Sequence, residues 1–280
     1  MPHDVMNRLS LAPVTINEVE PPALIAAAAA AGFDSADLRV LGAPGAAPVP
    51  PLTGDRPRIA AIAAACADTG VTIFAATGIW LTPDFSLDST LPALELAARL
   101  GAEQFLAVGN DPEEGRMTEN LSRLAGAASG FRLKLALELM PYTAVNTLAK
   151  AARMVGACGA PNLGLLIDAL HLARSGSTPA EVAALERGQI AYLQLCDAPA
   201  RPPAGLSLRA ESLTARLQPG DGELPLFALL DALPPDIVVD VETPVAAERA
   251  WPPERRAAQA AAAAKRLLAA WKSRKSGLSA

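Results

Sequence analysis

The sequence predicts a single (β/α)8 barrel spanning residues 1–280, and three observations carry that expectation. Eight apolar runs alternate with alanine- and leucine-rich helical segments along the chain, the rhythm of strand followed by helix. The runs are continuously hydrophobic, as in parallel strands buried on both faces. The stretch around the end of the first run, "LAPVTINEVEP", contains no glycine. A doubly wound sheet, the runner-up, normally places a glycine-rich phosphate loop there.

The elements follow in order. "LSLAPVTI" (9–16) reads as the first strand, then a helix from Pro22 to Ala31 that stops at Gly32. "ADLRVLG" (36–42) is the second strand, and a Pro/Gly-rich insertion over 42–55 precedes its helix. "VTIFAATGIWL" (71–81) and "STLPALELAARLG" (89–101) form the third pair, "EQFLAVG" (103–109) and "MTENLSRLAGAAS" (117–129) the fourth. "LKLALEL" (133–139) and "TAVNTLAKAARMVGA" (143–157) are the fifth, "LGLLIDA" (163–169) and "TPAEVAALERG" (178–188) the sixth. "IAYLQLC" (190–196) is the seventh strand, followed by an insertion over 198–222 and the helix "LPLFALLDAL" (224–233). "DIVVDVE" (236–242) is the eighth, and the last helix runs from near Pro253 to near Trp271, with residues 274–280 expected to fray. Alanine is the best helix former, so the alanine runs punctuated by leucine and tryptophan read as packed helices. At 51% hydrophobic residues, the chain can bury a sizeable core.

Composition excludes several functions. The net charge is −5, and only the tail "WKSRKSG" concentrates positive charge, which argues against binding along a nucleic-acid backbone. No basic n-region followed by an apolar h-region opens the chain, and no apolar run reaches about 18 residues, so neither a signal peptide nor a membrane span is expected. Cys66, Cys158 and Cys196 are widely spaced and odd in number, which reads as reduced core thiols in a cytoplasmic protein. The partner expected is a small molecule, and a homo-oligomer is compatible with the composition.

In such barrels the chemistry sits where strands end. Late strands end in Glu138 ("LALELMP"), Asp168 ("LLIDALH"), Gln194 ("YLQLCDA") and Glu242 ("VVDVETP"). The intervals are 30, 26 and 48 positions, two plain strand–helix units and one carrying the long insertion. Asp168 alone reads as a cap or turn residue closing its strand. Three carboxylates and an amide around one rim, however, repel unless a cation sits among them. Oxygen donors favour a hard divalent ion, Mn2+ or Mg2+, with Co2+ or Zn2+ as alternatives. His171, three positions past Asp168, faces a substrate on this reading, and Arg174, Arg216 and Trp80 are further candidates to line the pocket. "PGDGELP" reads as a turn leading into a helix.

From Leu133 to Ala198, and again over "LQPGDGELPLFALLDALPPDIVVDVETP", the chain resembles the sugar phosphate isomerase/epimerase family of xylose isomerase-like barrels. The resemblance implies that Glu138 and Glu242 are metal ligands and the acid/base pair. It implies that Asp168 is a ligand, that His171 touches substrate, and that Gln194 fills a ligand position often held by histidine. Some members, hydroxypyruvate isomerases among them, carry glutamine there. The family's DNA-repair branch needs several histidines; this chain has only His3 and His171. The expected activity is isomerisation or epimerisation of a small sugar or keto-polyol through an enediolate. A dehydratase of the inosose or dehydroshikimate type is the alternative, and a non-catalytic sugar-binding barrel a weaker one.

Overall fold

A computed structural model describes residues 7–42 and 52–278. Eight parallel strands close into a barrel in chain order, each hydrogen-bonded to the next and β8 back to β1. They are β1 (Leu9–Leu11), β2 (Ser35–Arg39), β3 (Thr72–Leu81), β4 (Gln104–Gly109), β5 (Lys134–Glu138), β6 (Leu163–Asp168), β7 (Ile190–Leu195) and β8 (Val239–Val241). The helices are α1 (Pro21–Ala31), α2 (Arg56–Thr69), α3 (Leu87–Arg99), α4 (Glu114–Gly130), α5 (Leu148–Cys158), α6 (Ala169–Arg174), α7 (Pro179–Ala183), α8 (Leu208–Thr214), α9 (Leu226–Ala232) and α10 (Pro253–Leu278). The (β/α)8 architecture expected from the strand–helix rhythm is thus the one observed. His3 and most of the 42–55 insertion lie outside the described residues. No helix among the described residues is long and apolar enough to cross a membrane.

Local chemistry sets the helix boundaries. Proline at the first turn and Gly32 in the left-handed region (φ 74°) bracket α1. Asp55 and Thr147 accept backbone N–H bonds from Arg58 and Lys150 at the starts of α2 and α5. Thr178 and Glu181 close a reciprocal capping box on α7.

Four differences from the sequence reading have local causes. β1 ends at Leu11 rather than at Ile16, because Pro13 starts a 3-10 turn over Pro13–Ile16. α5 starts at Leu148 rather than Thr143, because Thr143 turns the chain by donating to Met140 O at 3.0 Å. The segment expected as one helix over 178–188 holds only α7 and a 3-10 turn at Arg187–Gln189, while α6 and α8 are additional short helices. α10 runs past Trp271 to Leu278. It is anchored by Trp271 Nε1 donating to Asp231 Oδ1 at 2.8 Å.

Two apolar layers result. One lies between strands and helices and comprises most of the core. The other fills the barrel interior with Phe74, Ala75, Leu106, Ala136, Leu166 and Tyr192, where the Phe74 and Tyr192 rings meet edge to face at 5.0 Å. Polar residues share that interior. Ser10 donates to Asp37 Oδ1 at 2.7 Å, and Asp37 and Asp240 are both buried.

Candidate active site

The C-terminal rim of the barrel holds a cavity of about 430 Å3. Glu138, His171, Gln194, Arg216, Glu242 and Trp80 all line it. Six of the eight residues singled out from sequence therefore converge on one space. Asp168 lies against the same group without lining the cavity, and Arg174 faces elsewhere.

Strand ends position the carboxylates. Glu138 closes β5, Asp168 closes β6, Gln194 is the last residue but one of β7, and Glu242 directly follows β8. The register sets Asp168 beside Gln194 and Gln194 beside Asp240. Asp168 serves in two ways: Oδ1 accepts from His171 N at 2.8 Å, capping α6, and Oδ2 accepts from Arg216 Nη1 at 2.6 Å. The capping expected of Asp168 is thus observed, and the same carboxylate also pairs with Arg216.

Arg216 is the electrostatic centre. Its side chain is among the largest buried side chains of the protein, at 1% exposure. Nη1 pairs with Asp168 and Nη2 with Glu242, each at 2.6 Å, while Nε donates to Ser212 O at 2.9 Å. Burial alone would lower its pKa, but the two carboxylates outweigh burial and hold the guanidinium well above its ordinary value. Burial likewise opposes ionisation of Asp168, yet Arg216 and His171 keep its pKa below the usual carboxylate value. Glu242 is raised by burial, with Arg216 working against the rise. Glu138 is raised well above its ordinary value, first by burial and then by the charges of Asp168 and Glu242.

His171 stands 3.7 Å from Glu138 Oε1 through Nε2 and edge-on to Tyr142 at 5.6 Å. Burial lowers its pKa to about 4, so the imidazole is neutral and the Glu138 contact is not an ion pair at neutral pH. Tyr142 in turn hydrogen-bonds Ser212 at 3.0 Å. Cys196 lies 3.2 Å from Arg216 Nη1, but burial pushes its thiol up to about 12, which suits a core residue and not a nucleophile.

The long insertion builds one cavity wall and places Arg216. Asp197, two residues past the end of β7, forms a two-way backbone bridge with Leu217. Its carboxylate accepts from the N–H groups of Gly220, Gly222 and Leu224 at 3.0–3.1 Å. A side chain at Gly222 would meet Ala198 O at 2.5 Å, so "PGDG" must wrap tightly over Asp197. Sequence reasoning missed this anchor; its signal was the pairing of "CDAP" with a later "PGDG". It also missed Asp240, whose Oδ2 accepts from Gln194 Nε2 at 2.8 Å.

Arg174 corrects an expectation. Its guanidinium makes a bidentate pair with the buried Glu211 at 2.7 and 2.9 Å and donates to Pro199 O. It ties α6 to α8 and does not line the cavity. Glu211 comes within reach only because the insertion folds back as α8.

The donor set suits a divalent cation. Glu138, Asp168 and His171 each offer a ligand atom within 4.8 Å of one another. Asp168 and Glu242 share the Arg216 guanidinium, while Glu138 makes no ion pair with an arginine or lysine among the described residues. Gln194 commits its nitrogen to Asp240, so its carbonyl oxygen is the atom left for a ligand. Asp168 and Glu242 are joined through Arg216, an arrangement that the spacing of strand ends did not anticipate.

Solved structures share this architecture. An IolI protein with a bound zinc atom aligns over 94% of this chain and 99% of its own, with TM-score 0.76 and 19% identity. The 3-keto-D-glucoside 4-epimerase YcjR from E. coli aligns over 93% and 99%, with TM-score 0.70 and 17% identity. The probable 3-DHS dehydratase AsbF from Bacillus anthracis aligns over 93% and 99%, with TM-score 0.72 and 13% identity. No curated protein sequence matches the chain. At these identities the structural likeness concerns the fold. The family model described as xylose isomerase-like TIM barrel matches residues 25–267, and the chain belongs to that family.

Proposed function

We propose that this protein is a divalent-metal-dependent isomerase or epimerase of a small sugar or keto-polyol, acting through an enediolate. The observation that supports it most is the placement of Glu138 and Glu242, from β5 and β8, on one cavity with a buried cationic tie between Glu242 and Asp168. Glu138, Asp168, Gln194 and Glu242 would hold the ion. Oxygen donors suit Mn2+ or Mg2+, and the His171 nitrogen, which groups with Glu138 and Asp168, admits Zn2+. When bound, such an ion supplies Lewis acidity toward the neighbouring oxygens of a hydroxy-ketone, which acidifies the adjacent C–H.

The chain's own groups do the rest. Glu138, with a raised pKa, takes the proton on one side, and Glu242 returns one on the other. Arg216 holds Glu242 and Asp168 in place and limits their repulsion. Neutral His171 offers a hydrogen bond to a substrate hydroxyl without adding charge. Trp80, Leu106 and Val108 exclude water along the apolar wall. Three cysteines without disulfides accord with a reducing cytoplasm.

The test is exchange of a substrate C–H proton with deuterated solvent, on metal-supplemented protein and a ketose panel. Wild type should exchange. Glu138→Gln and Glu242→Gln should each lose about 10²–10⁴-fold in turnover, and a single variant should still exchange one epimer. A dehydrated product would move the assignment to the lyase branch. Binding without any exchange would leave a sugar-binding barrel.

A further inference from the structure

Arg216 is committed to two carboxylates and a carbonyl, but two other arginines line the same cavity. Arg39 ends β2 and is half-buried; Arg209 lies on α8 and is exposed. Neither forms a hydrogen bond or an ion pair with any described residue. The segment that follows β2, "APGAAPVPP" over 43–51, contains no acidic or amide side chain that could pair with Arg39. The chain as a whole carries −5, so two guanidinium groups in one cavity without a hydrogen-bonded partner among the described residues are not a reflection of its overall charge.

The cavity thus holds guanidinium groups beyond the one tied to its carboxylates. Glu138, Glu242 and Gln194 line it along β5, β8 and β7; Arg39 and Arg209 line it from β2 and the insertion helix. Leu41, Trp80, Leu106 and Val108 supply apolar surface. Arg39 feels the charge of Glu242 but forms no hydrogen bond or ion pair among the described residues, so its half-buried guanidinium gains when an anion arrives. A guanidinium matches the geometry of a carboxylate or a phosphate with paired N–H donors. A volume of about 430 Å3 fits a small molecule.

Resting on the hydroxy-ketone reading above, we propose that the substrate carries an anionic group, a carboxylate or a phosphate ester, which Arg39 and Arg209 bind while the hydroxy-ketone faces Glu138 and Glu242. Arg39 is the deeper anchor and Arg209 the outer one. Neither takes part in proton transfer. Both set specificity against neutral sugars.

Three probes that share a hydroxy-ketone test this by calorimetry on metal-supplemented protein: dihydroxyacetone, dihydroxyacetone phosphate and hydroxypyruvate. One anionic probe should bind at least about 10-fold tighter than dihydroxyacetone, and which one it is separates phosphate from carboxylate. A bound metal also attracts anions, so the variants decide. Arg39→Gln should weaken the preferred anion about 10- to 100-fold and Arg209→Gln less, with a much smaller change for dihydroxyacetone and melting temperature unchanged. An anion preference that survives in the Arg39→Gln/Arg209→Gln double variant overturns the proposal, as does equal binding of all three probes by wild type. Absence of C–H exchange with every probe would instead overturn the isomerase reading, and a preference lost in the variants would still establish the anion site.

Discussion

At the barrel rim, Asp168 and Glu242 each pair with Arg216 at 2.6 Å; two residues further down β8, Asp240 has no ion pair among the described residues, and Asp37 feels Arg8 without pairing with it. Arg216 keeps the pKa of Asp168 below its ordinary value. Burial instead pushes Asp37 up to about 7 and Asp240 well above the usual range; Glu242 raises both, and Asp37 also raises Asp240. Asp37 Oδ2, Asp240 Oδ1 and the Tyr192 hydroxyl have no hydrogen-bond partner among the described residues. At the rim the Arg216 cation keeps Asp168 charged and opposes the rise of Glu242 beside an open cavity. The sealed interior keeps its acids by protonation. Buried carboxylates thus become reactive groups only where compensation and access coincide.

The largest way to break this contrast is Arg216→Met. It leaves Asp168 and Glu242 buried without their cation and should destabilise the fold by about 3–5 kcal/mol, read by thermal denaturation at neutral pH. Mn2+ should restore part of the loss, because an ion that binds only the folded state raises its stability. A full-size loss unaffected by metal would show that the guanidinium is a packing element and not a charge balance.

Asp37→Asn sharpens the contrast from the interior. The folded pKa of Asp37 lies near 7, above its ordinary 3.8, so its protonated form favours the folded state. That contribution is complete below about 3.8 and is lost as pH rises through about 7. Asparagine stays neutral and can still accept from Ser10 and Ala75 N. The stability of the variant relative to wild type should therefore grow from about pH 4 to pH 7 and level off above, by about 2–4 kcal/mol in total. Denaturant titrations at four pH values measure it. A flat difference would mean that Asp37 is ionised throughout.

Ser10→Ala has the smallest expected effect. It removes the 2.7 Å donor to Asp37, the interior's substitute for an arginine, and should cost about 1 kcal/mol. The cost should be greater at pH 8 than at pH 5, because the bond is stronger to a charged carboxylate. Equal costs at both values would place the proton on Asp37 across that range.

Much of the site was legible because strand ends are marked locally. Glu138, Asp168, Gln194 and Glu242 follow apolar runs, and His171 follows Asp168 at the spacing of a capped turn. Arg216 was legible as a residue near the site but not as its charge centre. Arg174 was misplaced for the same reason: nothing near it in sequence announces Glu211, 37 positions away. Asp37 and Asp240 passed unnoticed inside runs read as core, where pattern alone does not separate an inward polar residue from an apolar one.

The sequence by itself determined the eightfold rhythm, most helix starts and stops, and which residues stand at strand ends, because periodicity and capping act within a few residues. Tertiary structure decided the partnerships. Arg216 reaches Asp168 across 48 positions and Gln194 meets Asp240 across 46. Closing the barrel and folding the insertion over Asp197 bring those groups together. A charge's effect depends on what surrounds it in space, and that surrounding exists only once the chain has folded.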